Sequence, residues 1–235
     1  MRIKKDKLIA SNFDGFAFDA IKTIISKKQQ PIVNQIGFFQ SLHEDFKDMA
    51  YAPLRQFVVS KVYFKKLKDL QFKLSSELRD YEYINGADEY LLYLEKNGVP
   101  RALVIDTPNH CMEHLYKNEN INAKAPLKKM FKNIVAGDDI IAIKPEPYGY
   151  LMAAEFMKQE SKVPRSIYEI FSPSNNKNYV AFEDSYDGIL AAARANMTVC
   201  RVHNPHISNS DLDQILSLNH LIDYEIEHFS EIVKS

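Results

Sequence analysis

Oxygen-bearing side chains and one lysine follow four short apolar runs of this sequence. Clustered carboxylates without histidine or cysteine partners favour a hard cation with oxygen ligands, most naturally Mg²⁺. A lysine beside them would neutralise the charge of a phosphate or an acyl phosphate. The residue types therefore indicate phosphoryl-transfer chemistry. The groups are Asn12 and Asp14, Asp106 and Thr107, Lys144, and Glu183 with Asp184.

These polar groups need a fold that brings them to one place. The apolar runs 8–11, 101–105 and 179–182 suit strands that are buried on both faces, and 132–136 and 197–202 suit two more. Amphipathic or apolar stretches between them predict helices. This alternation predicts an α/β fold, a Rossmann-like doubly wound parallel sheet. Ligands of such sheets bind at the carboxyl ends of the strands, where the polar groups stand.

The stretch between the first two strands has a different pattern. Residues 20–83 show apolar periodicity typical of helices, with breaks expected at Pro31 and Pro53. We therefore expect an inserted helical cap at 20–83 and a core domain built from 1–19 and 84–235.

The composition limits the classes of binding partner and the cellular compartment that we expect for this protein. The 235 residues carry 30 Lys and Arg against 31 Asp and Glu, a net charge of -1, so neither nucleic acid nor an anionic membrane is expected as a partner. The apolar run near the amino terminus is too short for a signal peptide or a membrane span. Two distant cysteines, Cys111 and Cys200, indicate a reduced, cytoplasmic protein without a disulfide framework.

Three segments resemble the loop motifs of a known family in order and spacing. They are 12–15 (Asn-Phe-Asp-Gly), 144–147 (Lys-Pro-Glu-Pro) and 183–188 (Glu-Asp-Ser-Tyr-Asp-Gly). They resemble those of the haloacid dehalogenase superfamily, and the nearer likeness is to its phosphatase and β-phosphoglucomutase branch. The resemblance implies an Mg²⁺-dependent phosphatase of a small phosphorylated metabolite, with a helical cap inserted after the first motif.

The resemblance also assigns a role to each position. The first loop of the family reads Asp-x-Asp-Gly-Thr, in which the first aspartate attacks phosphorus and the second is the general acid and base. Asn12 and Asp14 stand in these places. The implied catalytic positions are Asn12, Asp14 and Lys144, the phosphate-binding positions are Asp106 or, with a one-residue shift, Thr107, and the metal ligands are Asn12, Asp14, Glu183 and Asp184.

Asn12 leaves two functional hypotheses open. A carboxamide is a poor nucleophile, and loss of the nucleophile of a covalent enzyme costs on the order of a million-fold in rate. The first hypothesis is a phosphatase that works through an atypical first loop, with weakened Mg²⁺ binding. The second is a catalytically impaired relative that binds a phosphorylated ligand or a protein partner. In a rival register Asp14 is the nucleophile, but Phe16 then stands in the place of the acid and cannot serve.

Overall fold

The computed structural model describes most of the chain outside the inserted stretch. Asn12 and the strand expected at 8–11 lie outside the described residues, as does most of the expected cap. The described ranges are 13–27, 81–107, 109–158, 176–205 and 207–233.

In the described part of the chain, six parallel strands form the central sheet, which confirms the predicted α/β class. The strand order is β5-β4-β1-β6-β7-β8, and every neighbouring pair is parallel. Among the described residues, β2 and β3 pair separately as a two-stranded sheet. The strands are β1 Gly15–Phe18, β2 Ile25–Lys27, β3 Tyr81–Tyr83, β4 Arg101–Val104, β5 Asn133–Val135, β6 Asn176–Glu183, β7 Met197–Val202 and β8 Tyr224–Ile226.

Helices connect the strands of the sheet. No helix in the described part of the chain combines the length and the apolar character that a bilayer crossing requires. The α-helices are α1 Ala87–Lys96, α2 Glu113–Tyr116, α3 Glu119–Asn122, α4 Leu127–Met130, α5 Tyr148–Lys158, α6 Tyr186–Arg194, α7 Asn209–Ser217 and α8 Ser230–Val233, and 3₁₀ turns occupy Asn109–Met112 and Asn219–Leu221.

β1 lies in the middle of the sheet, and its side chains alternate between two apolar layers. Phe16 and Phe18 belong to the layer on one face, and Ala17 belongs to the layer on the other. The ring of Phe18 stacks on Phe182 of β6 with centroids 4.9 Å apart. All four residues of the strand are buried, so the next polar residue, Asp19, is the first that the strand delivers to its carboxyl edge.

The chain divides into two compact units, one of Met1–Ser26 with Tyr81–Ser235 and one of Lys27–Asp80. Of the second unit only Lys27 lies in the described ranges, so a helical cap stays a prediction. At its two ends the expected helical stretch 20–83 is wrong, because β2 and β3 lie there. β-Branched Ile25 and aromatic Tyr81 and Tyr83 favour strands over helices.

Candidate active site

β1 begins after Asp14, and this overturns the expected position of that residue. The backbone N–H of Asp14 donates to the carbonyl of Asn178 at 2.8 Å, and Asn178 Nδ2 donates to Asp14 Oδ2 at 3.2 Å. Asn178 precedes the residues of β6 that pair with β1. Asp14 therefore lies at the amino edge of the sheet, opposite Lys144 and Glu183, and its expected place in the site is wrong.

Asp19 is the carboxylate that β1 presents at the carboxyl edge. Lys144 Nζ lies 2.6 Å from Asp19 Oδ1 and 2.7 Å from Glu183 Oε1, and it also donates to the carbonyl of Val104 at 3.2 Å. The lysine side chain is only 6% exposed. Burial by itself lowers the pKa of Lys144, but the carboxylates of Asp19 and Glu183 outweigh it and hold that pKa well above its usual value. The site therefore keeps a fixed positive charge.

Glu183 is an internal anchor for that lysine. Its carboxylate is fully buried and accepts a short hydrogen bond from the hydroxyl of Tyr150 and one of 3.3 Å from Ser185 Oγ. Burial raises the pKa of Glu183 to about 8, against the opposing effect of Lys144. Because its oxygens are held by these partners, Glu183 is better suited to orienting Lys144 than to binding a metal directly.

Asp184 faces Asp19 across a shared threonine. Thr23 Oγ1 lies 3.1 Å from Asp184 Oδ1 and 3.2 Å from Asp19 Oδ2, and Asn204 Nδ2 donates to Asp184 Oδ2 at 3.0 Å. Burial and the neighbouring Asp19 raise the pKa of Asp184 to about 6, although the hydrogen bonds from Asn204 and Thr23 oppose this. This carboxylate lacks enough nearby positive charge to offset its burial.

The two expected phosphate-binding positions lie at the same edge, after β4. Asp106 Oδ1 accepts the backbone N–H of Lys144 at 3.3 Å, and the carbonyl of Thr107 accepts the N–H of Gly137 at 3.2 Å. A side chain at Gly137 would meet the carbonyl oxygen of Asp106 at 2.1 Å. The glycine therefore lets the loop after β5 approach closely, and Asp106 is tied to the segment that carries Lys144.

The carboxylates of this edge fit a divalent cation. Oxygens of Asp19, Glu183 and Asp184 all lie within 4.8 Å of one another. The group contains oxygen donors only, which suits Mg²⁺ better than zinc or copper. Burial raises the pKa of both Glu183 and Asp184, because it disfavours the charged form of a carboxylate that lacks sufficient counter-charge. A cation between Asp19 and Asp184 would supply it.

The structure thus brings together some of the site residues that the sequence predicted and adds others. Of the expected residues, the cluster contains Lys144, Glu183 and Asp184, with Asp106 adjacent. Asp19 was missed because the strand was expected earlier in the chain. The spacing of Asp19 and Thr23 was the available signal, because it matches the first and last positions of the Asp-x-Asp-Gly-Thr loop. Tyr150 and Asn204 carry no comparable signal and are found only by proximity.

The fold and the site together define the class of protein. It has a Rossmann-like α/β core, with an acidic cluster and a buried lysine at the carboxyl edge of the sheet. The chain has the fold of the haloacid dehalogenase superfamily, which confirms the resemblance seen in the sequence. A hydrolase of that superfamily from Entamoeba histolytica, of family IA, variant 3, is 15% identical, with a TM-score of 0.61 and coverage of 94% of this chain and 100% of the other.

Two further solved structures share this fold. A haloacid dehalogenase family hydrolase from Deinococcus radiodurans, with bound phosphate and sodium, has a TM-score of 0.59 at 17% identity and covers 94% and 93% of the two chains. A putative β-phosphoglucomutase from Thermotoga maritima has a TM-score of 0.54 at 18% identity and covers 94% and 97%.

Sequence comparison gives a shorter match. (DL)-glycerol-3-phosphatase 2 of Arabidopsis thaliana is 29% identical over 153 residues, which are 63% of this chain and 56% of that protein. The matched region thus spans little more than half of the relative. No protein-family model matches the chain.

Proposed function

We propose that the chain is a phosphatase-like hydrolase in which the Asp19 carboxylate accepts the phosphoryl group of a small phosphorylated metabolite. The observation that carries the proposal is the convergence of Asp19, Lys144 and Asp184 at the carboxyl edge of the sheet. The fold of hydrolases and the partial match to a glycerol-3-phosphatase support it.

Each residue of the cluster has a distinct task in such a transfer. Asp19 is the nucleophile, and the ammonium of Lys144 stabilises the negative charge that develops on the phosphoryl oxygens. Glu183 holds Lys144 in place, and Thr107 offers a hydroxyl at the same edge. Mg²⁺, when bound by Asp19 and Asp184, would neutralise the charge between phosphate and carboxylate.

The alternative of a catalytically impaired relative had its basis in Asn12. With Asp19 as the nucleophile, that basis no longer applies, and the phosphoryl-transfer proposal is favoured. A cytoplasmic setting remains part of the proposal, and Cys200, which is buried and not part of a disulfide, is consistent with a reducing compartment.

The test is release of the phenol from a generic aryl phosphate, followed from the first turnover, with Mg²⁺ or with EDTA. Native chain with Mg²⁺ should release phenol, and EDTA should suppress the release. Asp19→Asn should lose on the order of a million-fold in rate, as expected for a missing nucleophile. Asp184→Asn should need far more Mg²⁺ for the same rate.

Two matched carboxyl–amide exchanges distinguish the registers of the first loop. Asp14→Asn makes the same chemical change as Asp19→Asn at the opposite edge of the sheet and should keep the native rate. Asn12→Asp should gain nothing. Full activity in Asp19→Asn, or activity that appears only in Asn12→Asp, would contradict the assignment of Asp19 as the nucleophile.

A further inference from the structure

Asn204 contacts the proposed metal ligand Asp184 from a different strand end. Asp184 follows β6, whereas Asn204 follows β7, which ends at Val202. Asn204 Nδ2 donates to Asp184 Oδ2 at 3.0 Å. An ionised carboxylate only accepts hydrogen bonds, so the amide nitrogen and not the amide oxygen faces it. The proposed phosphoryl transfer gives this side chain no task so far.

The backbone of Asn204 is fixed on both sides. Just before it, the N–H of His203 donates to the carbonyl of Ile226 at 2.9 Å, directly beyond the last paired residues of β7 and β8. Just after it, the N–H of Ile207 donates to the carbonyl of Asn204 at 3.3 Å. A side chain on so restrained a segment loses little further freedom when it makes a hydrogen bond. Asn204 is therefore suited to orienting its acceptor.

Thr23 also donates to Asp184, but its hydroxyl serves two carboxylates. Thr23 Oγ1 lies 3.1 Å from Asp184 Oδ1 and 3.2 Å from Asp19 Oδ2. A hydroxyl has a single proton, so it cannot make a full hydrogen bond to both carboxylates at once. The amide N–H of Asn204 continues to hold Asp184 when the Thr23 hydroxyl turns to Asp19.

These hydrogen bonds leave Asp184 able to bind a cation. An ionised carboxylate has about four lone pairs, and the bonds from Thr23 and Asn204 fall on different oxygens. A side chain that holds a metal ligand in place affects metal binding without touching the metal. Its loss typically costs about 10–100-fold in affinity.

We propose that Asn204 is a positioning residue, which holds the Asp184 carboxylate in the orientation that binds Mg²⁺ while the Thr23 hydroxyl is shared with Asp19. The inference rests on the proposed function, in which Asp19 and Asp184 bind the cation. It gives Asn204 no contact with the phosphoryl group. Loss of the amide should therefore weaken metal binding and spare the rate at saturating Mg²⁺.

Calorimetric titration of the full chain with Mg²⁺ alone measures this effect without any substrate. Asn204→Leu removes the donor at nearly constant side-chain size and should weaken Mg²⁺ binding by about 10–100-fold. Asn204→Gln keeps an amide on a longer side chain and should recover part of the loss. In phenol release from the aryl phosphate, Asn204→Leu should need correspondingly more Mg²⁺ for half of its maximal rate. The maximal rate itself should stay near that of the native chain.

A second background tests the sharing of the Thr23 proton. Thr23→Val replaces the hydroxyl by a methyl group, so no hydroxyl remains that can turn to Asp184 when Asn204 is lost. Asn204→Leu should therefore cost more Mg²⁺ affinity in the Thr23→Val background than in the native chain. Equal losses in the two backgrounds would contradict the shared hydroxyl.

The remaining outcomes separate this inference from the proposed function. Native Mg²⁺ affinity in Asn204→Leu, even with a lower unfolding temperature in EDTA, would mean a merely structural role and leave Asp19 as the nucleophile. A loss of rate that excess Mg²⁺ does not restore would also overturn the inference, because Asn204 would then act on the reaction itself. Asn204→Ser repeats the titration if Asn204→Leu does not fold. If the native chain binds no Mg²⁺, the metal part of the proposed function fails with the inference, and Asp19→Asn still tests the nucleophile.

Discussion

The backbone of Gly188 lies against the carboxylate of Glu183, which contacts the ammonium of Lys144. A Cβ at Gly188 would meet Cδ and Oε2 of Glu183 at 2.0 Å, far inside contact distance. Helix propensity alone would favour alanine there by about 1 kcal/mol. We expect Gly188→Ala instead to lower the free energy of unfolding by about 1–3 kcal/mol, because an overpacked buried site must shift. Urea denaturation measures the difference.

A double-mutant cycle assigns that loss to the proposed contact. In a Glu183→Ala background the opposing carboxylate is gone, so Gly188→Ala should be neutral or stabilising. The same loss in both backgrounds would mean that the backbone of α6, and not the carboxylate, resists the methyl group. The double mutant thus tests whether the glycine of this motif serves the lysine anchor.

At the scale of elements, β1 decides which residue reaches the site, and its rings make it the centre of one apolar layer. Phe18 is fully buried, with Phe182 at 4.9 Å and Phe131 at 5.7 Å between ring centroids. Phe18→Ala should cost about 3–5 kcal/mol of unfolding free energy. Phe13, half-buried just before the strand and edge-on to Phe16 at 5.8 Å, is the control. Equal losses for Phe13→Ala and Phe18→Ala in urea denaturation would contradict this placement of the strand.

The same strand shows what the sequence could and could not predict. Runs rich in Val, Leu and Phe, such as 101–105 and 179–182, were identified correctly as strands because their side chains are apolar on both faces. β1 was missed because glycine and alanine are weak strand formers. Gly15 is there for close packing, since a Cβ would lie 2.9 Å from Met157 Sδ and 3.1 Å from the Pro100 carbonyl. That requirement comes from distant residues and leaves no local pattern.

The residues of the candidate site were likewise predicted only where a local sequence pattern marks them. Lys144, Glu183 and Asp184 were found because they follow recognisable strands or motifs. Asp19 was missed together with the strand that presents it. The motif was aligned seven residues too early, on Asn12, and this placed Asp14 in the site although it lies at the other edge of the sheet. β8 and α7 were not predicted either.

At the scale of the whole molecule, the chain leaves and re-enters the first compact unit at neighbouring points. β2 pairs with β3, and the N–H of Ile84 donates to the carbonyl of Ile24 at 2.9 Å. The apolar layer that contains Phe16 and Phe18 of β1 also contains four buried residues of these two segments, namely Ile24, Ile25, Tyr81 and Tyr83. Closing a short loop between such ends costs little entropy, so the first unit has the properties of a domain that accepts an insertion.

We therefore expect a variant with residues 29–79 replaced by a flexible Gly-Ser linker to fold and to keep its site. Its circular dichroism should retain α/β character, and heating should give one cooperative transition, because the buried layers on both faces of the sheet are intact. With Mg²⁺ it should still release phenol from the aryl phosphate, since the proposed nucleophile, lysine and metal ligands all lie in the first unit. A second variant with a longer linker controls for strain at the junction. If both variants aggregate or fail to unfold cooperatively, the inserted stretch is required for the first unit to fold. If they fold but release no phenol, Asp19 with its neighbours is not sufficient for phosphoryl transfer.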